Sequence, residues 1–147
     1  MLLSRMTDWT ALTAEPLAVA QSVDFLYDNG AGGVSVFLGT TRAEQNGNGA
    51  ELLALEYEAY ESMAREQLQA LAGRARERWP ILKLVILHRI GRVALGEPSV
   101  FIGVCTPHRA EAFEACRWLI DTLKAEATIW KKEIWSDGEG DWVHPQL

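Results

Sequence analysis

The feature that most constrains the fold is a nearly unbroken apolar run at residues 99–106, which includes Val100, Phe101, Ile102, Val104 and Cys105. A run of this length without polar alternation predicts a β-strand that is buried on both faces. An apolar stripe at helical spacing follows over residues 107–124 and predicts an α-helix. Its members are Ala112, Phe113, Cys116, Leu119, Ile120 and Leu123.

Hydrophobic periodicity predicts the remaining elements. Helices are expected over residues 16–27 and 60–79, the second with one apolar stripe made of Met63, Ala64, Leu68, Leu71, Ala72 and Ala75. Strands are expected at residues 34–38, 53–57, 82–88, 93–95 and 129–135. At 53–57 the alternation places Leu53, Leu55 and Tyr57 on one face. Short connections at residues 90–92 and 96–98 suit hairpins.

This order of elements predicts an α+β fold in a single domain over residues 1–147. A mainly antiparallel β-sheet is expected to pack with two larger helices and one N-terminal helix. Since the 147 residues carry a net charge of -6, a nucleic-acid partner is not expected. No apolar run of about 18 residues is present, so no membrane span is expected. Two cysteines and no recognisable signal peptide predict a cytoplasmic protein.

Several cations stand out against this acidic background. Thr106 and Pro107 suit the N-cap and first position of the helix predicted at 107–124, which places His108 and Arg109 in its first turn. Free backbone N–H groups and the positive end of the helix dipole attract anions there. The pair therefore indicates an anionic ligand, although an ion pair between Arg109 and Glu111 would explain it equally well.

Lys124 lies at the opposite end of the same helix. A cation in the last turn is favoured by the dipole, so a purely structural role is the alternative to a site. Sixteen residues separate it from His108, which is about 24 Å along a continuous helix. If both belong to one small-molecule site, a second copy of the chain must supply one of them. The separation thus predicts a symmetric dimer with two composite sites.

Lys131 and Lys132 lie in the strand predicted at 129–135. Because successive side chains of a strand point to opposite faces, Lys131 shares a face with Ile129 and Glu133, and Lys132 lies on the other. A partly buried lysine can act in proton transfer or as a nucleophile, whereas a solvated lysine pair is the alternative.

The remaining chemical residues carry weaker signals. Arg42 ends a strand beside a polar loop, a common place for ligand contacts. Cys105 and Cys116 fall on apolar stretches and are expected in the core, and His88 is expected to be structural. No grouping has metal-ligand spacing, so no metal site is predicted.

Taken in order, seven segments of the chain resemble one known family. They read FLGTTR (37–42), LEYEAY (55–60) followed by Met63 and Ala64, HRIG (88–91), GE (96–97), HRAEAF (108–113), DTLK (121–124) and IWKKE (129–133). Together they resemble the large, catalytic subunit of molybdopterin synthase, the MoaE family. The resemblance covers about residues 30 to 143.

The resemblance implies a hammerhead-like fold and a sulfurtransferase. Members install two dithiolene sulfurs on cyclic pyranopterin monophosphate (precursor Z) and so form molybdopterin. The sulfur comes from the C-terminal thiocarboxylate of a small ubiquitin-like subunit, similar to MoaD, whose Gly-Gly tail enters the large subunit. Members form a heterotetramer around a dimer of large subunits. No cofactor is expected, because the pterin is the substrate and the partner supplies the sulfur.

The same resemblance implies roles for individual residues. Lys124 and Lys131 would be the catalytic lysines, active in proton transfer and charge stabilisation. The other residues that it implies in substrate binding are Thr40, Thr41, Arg42, His108, Arg109, Lys132 and Glu133. His108 and Arg109 would reach the substrate phosphate from the neighbouring chain.

One departure from the family lies between the two lysines. Members commonly have a proline where this chain has Thr128, and its loss is expected to loosen the turn. Two other functions remain as alternatives. A non-catalytic anion-binding or scaffold subunit of the same fold would not need Lys131, and a nucleotide-binding module would need a phosphate loop that the sequence lacks.

Overall fold

The computed structural model describes residues 6–138, 140 and 142–143. Its fold is α+β, as predicted. The helices are α1 (Val19–Phe25), α2 (Glu61–Arg78) and α3 (Arg109–Glu126). The strands are β1 (Asp8–Thr13), β2 (Gly33–Thr40), β3 (Leu52–Ala59), β4 (Lys83–Arg89), β5 (Gly91–Ala94), β6 (Pro98–Thr106), β7 (Ile129–Trp135) and β8 (Trp142–Val143).

The strands form two sheets of four, not one, in the orders β1-β4-β6-β2 and β5-β3-β7-β8. Among the described pairs β1 and β4 are parallel and the others are antiparallel. The mainly antiparallel character is therefore confirmed. The two predicted hairpins are wrong, since β5 belongs to a different sheet from both β4 and β6. Its short connections carry the chain between the sheets.

Strand β6 lies inside the first sheet, between β4 and β2. Residues 99–106 are all buried, which confirms the prediction made from their apolar character. Gly103 allows close packing at its centre. A Cβ there would collide with the Leu26 side chain and lie 2.8 Å from the Phe101 ring, so the position favours glycine.

Helices α2 and α3 bury the faces that their sequence patterns indicated. On α2 the buried residues are Ala64, Leu68, Leu71, Ala72 and Ala75, and on α3 they include Ala112, Cys116, Leu119, Ile120 and Leu123. Met63 and Phe113 were placed on the same stripes but are exposed, at 45% and 64%. Both lie near helix starts, at the margin of the buried surface.

Several details of the predicted elements are wrong. Strands β1 and β8 were not foreseen, and α1 is shorter than the predicted 16–27. Leu53 is exposed while Leu52 and Ala54 are buried, because the pairing register of β3 with β7 shifts between Leu52 and Ala54. A bulge inserts one extra residue into a strand, so the side chains on its two sides no longer follow a single alternation between the faces of the sheet.

The start of α3 also differs from the prediction. Thr106 is not its N-cap, because β6 continues through Thr106, which pairs with Gly33. The Thr106 hydroxyl instead donates a hydrogen bond to the His108 carbonyl, at 2.5 Å. His108 is the N-cap residue and Arg109 the first helical residue, so both still lie at the N-terminal end of the helix.

Within residues 6–138, 140 and 142–143, no helix is both long enough and apolar enough to cross a lipid bilayer.

Candidate functional site

A cavity of about 460 Å³ opens where the two sheets meet the C-terminal end of α3. The ends of β2, β3, β6 and β7 form its walls. The residues that line it include Phe37, Leu38, Gly39, Thr40, Arg42, Glu44, Tyr57, His88, Ser99, Lys124, Ile129, Lys131 and Glu133. It thus contains a polar floor, an apolar wall and charged groups at its margin.

Lys124 and Lys131 both line this cavity, although they belong to different elements. Lys124 lies in the last turn of α3, and Lys131 lies opposite Tyr57 in the β3–β7 pairing. Ile129 and Glu133 line the cavity beside Lys131, as strand alternation predicted. The fold therefore brings the two lysines to one site within a single chain.

Lys132 lies on the other face of β7. It pairs with Glu56 across β3 and β7, an arrangement in which opposite charges attract. Its ammonium lies 6.0 Å from the centre of the Trp142 ring, within reach of a cation–π contact. The residues that line the cavity include Lys131 but not Lys132. The structure therefore separates the two neighbouring lysines as the sequence predicted.

The floor of the cavity is formed by three buried side chains, Tyr57, His88 and Ser99. The Tyr57 hydroxyl donates to the Ser99 hydroxyl at 3.3 Å, and Ser99 donates to the Gly39 carbonyl at 3.3 Å. The His88 Nδ1 lies 2.8 Å from the Arg89 carbonyl oxygen. Because a carbonyl can only accept, Nδ1 carries the proton and the neutral ring keeps a lone pair on Nε2.

The floor is uncharged at neutral pH. Burial lowers the pKa of His88 from 6.5 to about 4, an effect that the positive charge of Lys124 adds to and the hydrogen bond to Arg89 opposes. Burial also raises the pKa of Tyr57, partly offset by its hydrogen bond with Ser99. Desolvation disfavours the charged form of both groups. Charge in the site therefore comes from the lysines and the groups at its margin.

Arg42 and Thr40 lie at the margin of the cavity, whereas Thr41 is withdrawn from it. The Arg42 guanidinium forms a 2.9 Å ion pair with Glu44, and both groups line the cavity. Exposed pairs of this kind contribute little stability, so Arg42 is able to exchange Glu44 for a ligand. Thr41 is buried, and its N–H and carbonyl bond to the 96–97 turn.

His108 and Arg109 are not part of this cavity. They lie at the N-terminal end of α3, which is continuous from Arg109 to Glu126, so about 24 Å of helix separates them from Lys124. This end packs over the start of β2. A Cβ added to Gly33 would lie 2.9 Å from the Arg109 Cα atom. Any joint role with Lys124 therefore requires a second chain.

Comparison with known proteins identifies the family of this chain. The family model described as "MoaE protein" matches residues 12–126, most of the chain. This chain belongs to the MoaE family. A relative from Halalkalibacterium halodurans, named molybdopterin synthase catalytic subunit, is 42% identical over 93% of this chain and 86% of its own length.

Two further comparisons give the same result. A protein of the same name from a Nostoc species is 42% identical over 95% of this chain and 84% of its own length. The solved structure of molybdopterin synthase from Staphylococcus aureus superposes with a TM-score of 0.82 at 36% identity, and the match covers 89% of this chain and 93% of that one. The family suggested by the ordered motifs is confirmed.

The two cysteines of this MoaE protein lie outside the cavity. Both are buried, and burial raises the pKa of each thiol. A thiol with a raised pKa is a poor nucleophile at neutral pH. The placement of Cys105 and Cys116 in the core is confirmed. Within the described part of the chain, no three His, Cys, Asp or Glu side chains are grouped to hold a metal ion.

The turn between the two lysines is more firmly held than the sequence suggested. Thr128, the residue at which the chain was expected to depart from the family, donates from its backbone N–H and its hydroxyl to Gln67 Oε1, at 2.8 and 3.0 Å. A proline would have no N–H to give. The turn is therefore tied to α2 by two hydrogen bonds.

Sequence reasoning missed the cavity floor of this MoaE protein. His88 was expected to be structural, and Tyr57 and Ser99 were not singled out, yet all three line the cavity. The only available signal was indirect, since His88 and Tyr57 both fall inside motifs shared with the family. Their proximity depends on the packing of β4 against β3, which belong to different sheets.

Proposed function

We propose that this chain is the catalytic subunit of a molybdopterin synthase, a cytoplasmic sulfurtransferase of a single domain. It would convert precursor Z into molybdopterin with sulfur from the thiocarboxylate of a small ubiquitin-like subunit. The observation that carries this proposal is that Lys124 and Lys131, implied by family resemblance alone, line one cavity. No cofactor of its own is needed, because the partner supplies the sulfur.

The two lysines suit a reaction in which sulfur replaces oxygen. The new C–S bond forms as the C–O bond breaks, so negative charge develops on the departing oxygen, and an ammonium group beside that oxygen stabilises the charge. A lysine can also supply the proton that the departing oxygen requires. The neutral floor made by Tyr57, His88 and Ser99 supplies hydrogen-bonding groups to a heterocycle without adding charge.

The cavity of one chain is only weakly positive. Its margin carries three cations, Arg42, Lys124 and Lys131, against two carboxylates, Glu44 and Glu133. Further cations would strengthen the binding of a phosphorylated substrate through charge-assisted hydrogen bonds. His108 and Arg109 of a second chain would supply it, with Thr40 and Arg42 as contacts from the first. Thr41 would act through its backbone bonds, and Lys132 and Glu133 would shape the edge of the site.

The unpaired edge of β2 suggests how two chains meet. β2 is the last strand of its sheet, and Val34, Val36 and Leu38 are exposed on it, each at about two-fifths. An exposed apolar edge strand is a template for pairing with another chain. We assign this edge to an antiparallel contact between two copies, related by a twofold axis near Val36 and Phe37.

This arrangement would complete the site. Gly33 lies under the start of α3 and Thr40 lines the cavity beside Lys124, so β2 and α3 run side by side. β2 spans about 24 Å, the same length as the helix between His108 and Lys124. Antiparallel pairing of two β2 strands would therefore place the Arg109 end of one chain at the Lys124 end of the other.

The sulfur carrier would reach this site through its C-terminal tail. A Gly-Gly tail has no side chains, so it can enter a narrow part of the cavity that bulkier residues could not. The lysines inside would attract its terminal thiocarboxylate. A small subunit bound to each chain of the dimer would give the hammerhead-like heterotetramer implied by the resemblance.

The proposal is tested by incubating the purified chain with precursor Z and a thiocarboxylated small subunit, followed by an assay for the dithiolene product. Product formation by the wild type and its near loss in Lys131→Ala would support a catalytic role. Correctly folded wild-type protein that forms no product would overturn it. Equal activity of the wild type and Lys131→Ala would instead favour a scaffold subunit.

A further inference from the structure

The relative position of the two cavity lysines depends on a very short connection. Only Ala127 and Thr128 lie between the end of α3 and the start of β7. Lys124 stands two residues before the helix end, and Lys131 two residues after the strand begins. Any shift of this connection therefore changes the distance between the two ammonium groups.

A side chain from a third element holds both ends of this connection. Gln67 of α2 accepts hydrogen bonds through Oε1 from the Thr128 N–H at 2.8 Å and from the Thr128 hydroxyl at 3.0 Å. Its Nε2 group donates to the Glu126 carbonyl at 3.4 Å. The carbonyl of Thr128 accepts from the Tyr60 N–H at 3.2 Å, so α2 and its N-cap fix the connection from one side.

An ion pair between α2 and the end of α3 is a weaker contact. Arg74 forms a 2.9 Å ion pair with Glu126, but both side chains are about half exposed. An exposed pair of this kind contributes little. Gln67 is partly buried and bonds to the backbone on both sides of Ala127, so it restricts the path of the chain directly.

We propose that Gln67 is a positioning residue that sets the separation of Lys124 and Lys131 through the Glu126–Thr128 connection. This role rests on the proposed sulfur transfer, because it matters for catalysis only if both lysines act on one substrate. Gln67 itself does not line the cavity that contains them. Its effect on the reaction is therefore on geometry, not on contact with the substrate.

Three variants separate positioning from general stability. Gln67→Met keeps the length and helix propensity of the side chain but removes all its hydrogen bonds. Gln67→Glu keeps the two acceptor bonds to Thr128. Gln69→Met makes the same change two residues further along α2, at an exposed position, and serves as the matched control.

The expected result is a decrease of about tenfold in kcat for Gln67→Met at an unchanged KM, because small misplacements of catalytic groups are costly. Gln67→Glu should restore most of the activity, and Gln69→Met should match the wild type. The ¹³Cε signals of Lys124 and Lys131 should shift in Gln67→Met alone. A melting temperature close to that of the wild type would show that the loss is not one of folding.

Two outcomes would overturn the inference. One is wild-type kcat in folded Gln67→Met with unshifted lysine signals. The other is an equal loss of kcat in Gln67→Met and Gln67→Glu. In that case the hydrogen bonds to Thr128, which Gln67→Glu retains, would not be what maintains kcat. If the wild type itself forms no product, the proposed function fails, and the lysine signals alone decide whether Gln67 positions them.

Discussion

The rings of Tyr57 and His88 meet edge to face, with their centroids 5.0 Å apart and an angle of 72° between their planes. Tyr57 belongs to β3 and His88 to β4, so this contact joins the two sheets directly beneath the cavity. Tyr57 lies opposite Lys131 in the β3–β7 pairing, and the charge of Lys124 acts on His88. One ring of the aromatic pair therefore neighbours Lys131 and the other is influenced by Lys124.

The neutral state of His88 predicts a pH-dependent stability. Above pH 6.5 the ring is neutral in the folded and the unfolded chain. As the pH falls from 6.5 to about 4, only the unfolded chain takes up the proton, so the free energy of unfolding decreases. The full pKa difference corresponds to about 3 kcal/mol. Urea denaturation between pH 7 and 4 measures this loss.

His88→Asn is the comparison for that experiment, because the Asn amide can still donate to the Arg89 carbonyl. Titration of the acidic residues contributes equally to both proteins. The difference between their free energies of unfolding at each pH therefore isolates the contribution of His88. We expect the variant to be less stable at pH 7 and to approach the wild type at pH 4. Parallel profiles for the two proteins would show that His88 titrates normally.

A second prediction concerns the neighbouring lysines of β7. Lys131→Ala should lower product formation by about 10²-fold or more, the range typical for loss of a group that transfers protons. Lys132→Ala should lower product formation far less, since the Lys132 side chain lies near Trp142 on the other face of the strand. Initial rates of dithiolene formation measure both.

Lys131→Arg adds a test of what Lys131 does. An arginine keeps the positive charge but does not release its proton. Substantial activity in Lys131→Arg would assign charge stabilisation to this position, and a loss as large as that of Lys131→Ala would assign proton transfer. Equal losses in Lys131→Ala and Lys132→Ala would contradict the division of the two faces.

The sequence predicted that Lys131 and Lys132 lie on opposite faces of β7, and this prediction is correct because β7 is regular. A period of two then places Lys131 beside Ile129 and Glu133 without knowledge of the rest of the fold. The same rule failed at Leu53, because the bulge between Leu52 and Ala54 leaves no mark in the residues. Local pattern is reliable only where pairing is uninterrupted.

Other features of the site depend on contacts that are distant in sequence. Thr106 and Pro107 suit a helix start, but pairing of Thr106 with Gly33 extends β6 and moves the N-cap to His108. Likewise, no local signal reports that His88 and Tyr57 touch, since each belongs to a different sheet. The elements were therefore largely predictable, while the cavity floor and the division into two sheets were not.

The exposed edge of β2 gives a third prediction. Val36→Lys places a charge on the proposed contact between two copies and should convert a dimer into a monomer, because a lysine on an edge strand opposes pairing. Leu53→Lys changes another exposed apolar strand residue and should leave the dimer intact. Sedimentation velocity measures both. A wild-type monomer, or a dimer that survives Val36→Lys, would place the interface elsewhere.

The composite site gives a fourth prediction, which can be tested by mixing inactive proteins. Lys124→Ala and Arg109→Ala should each abolish most activity, because every site of either homodimer lacks one group. If the site joins Lys124 of one chain with Arg109 of the other, a mixed dimer contains one intact site and one doubly altered site. Random exchange at equal concentrations should therefore restore about one quarter of wild-type activity.

Co-refolding of the two variants followed by the dithiolene assay measures this recovery. A mixture of Lys124→Ala with Lys131→Ala is the control. Because both lysines lie in the cavity of the same chain, these two variants should not complement each other. Absence of recovery in confirmed mixed dimers would show that Arg109 does not act across the interface.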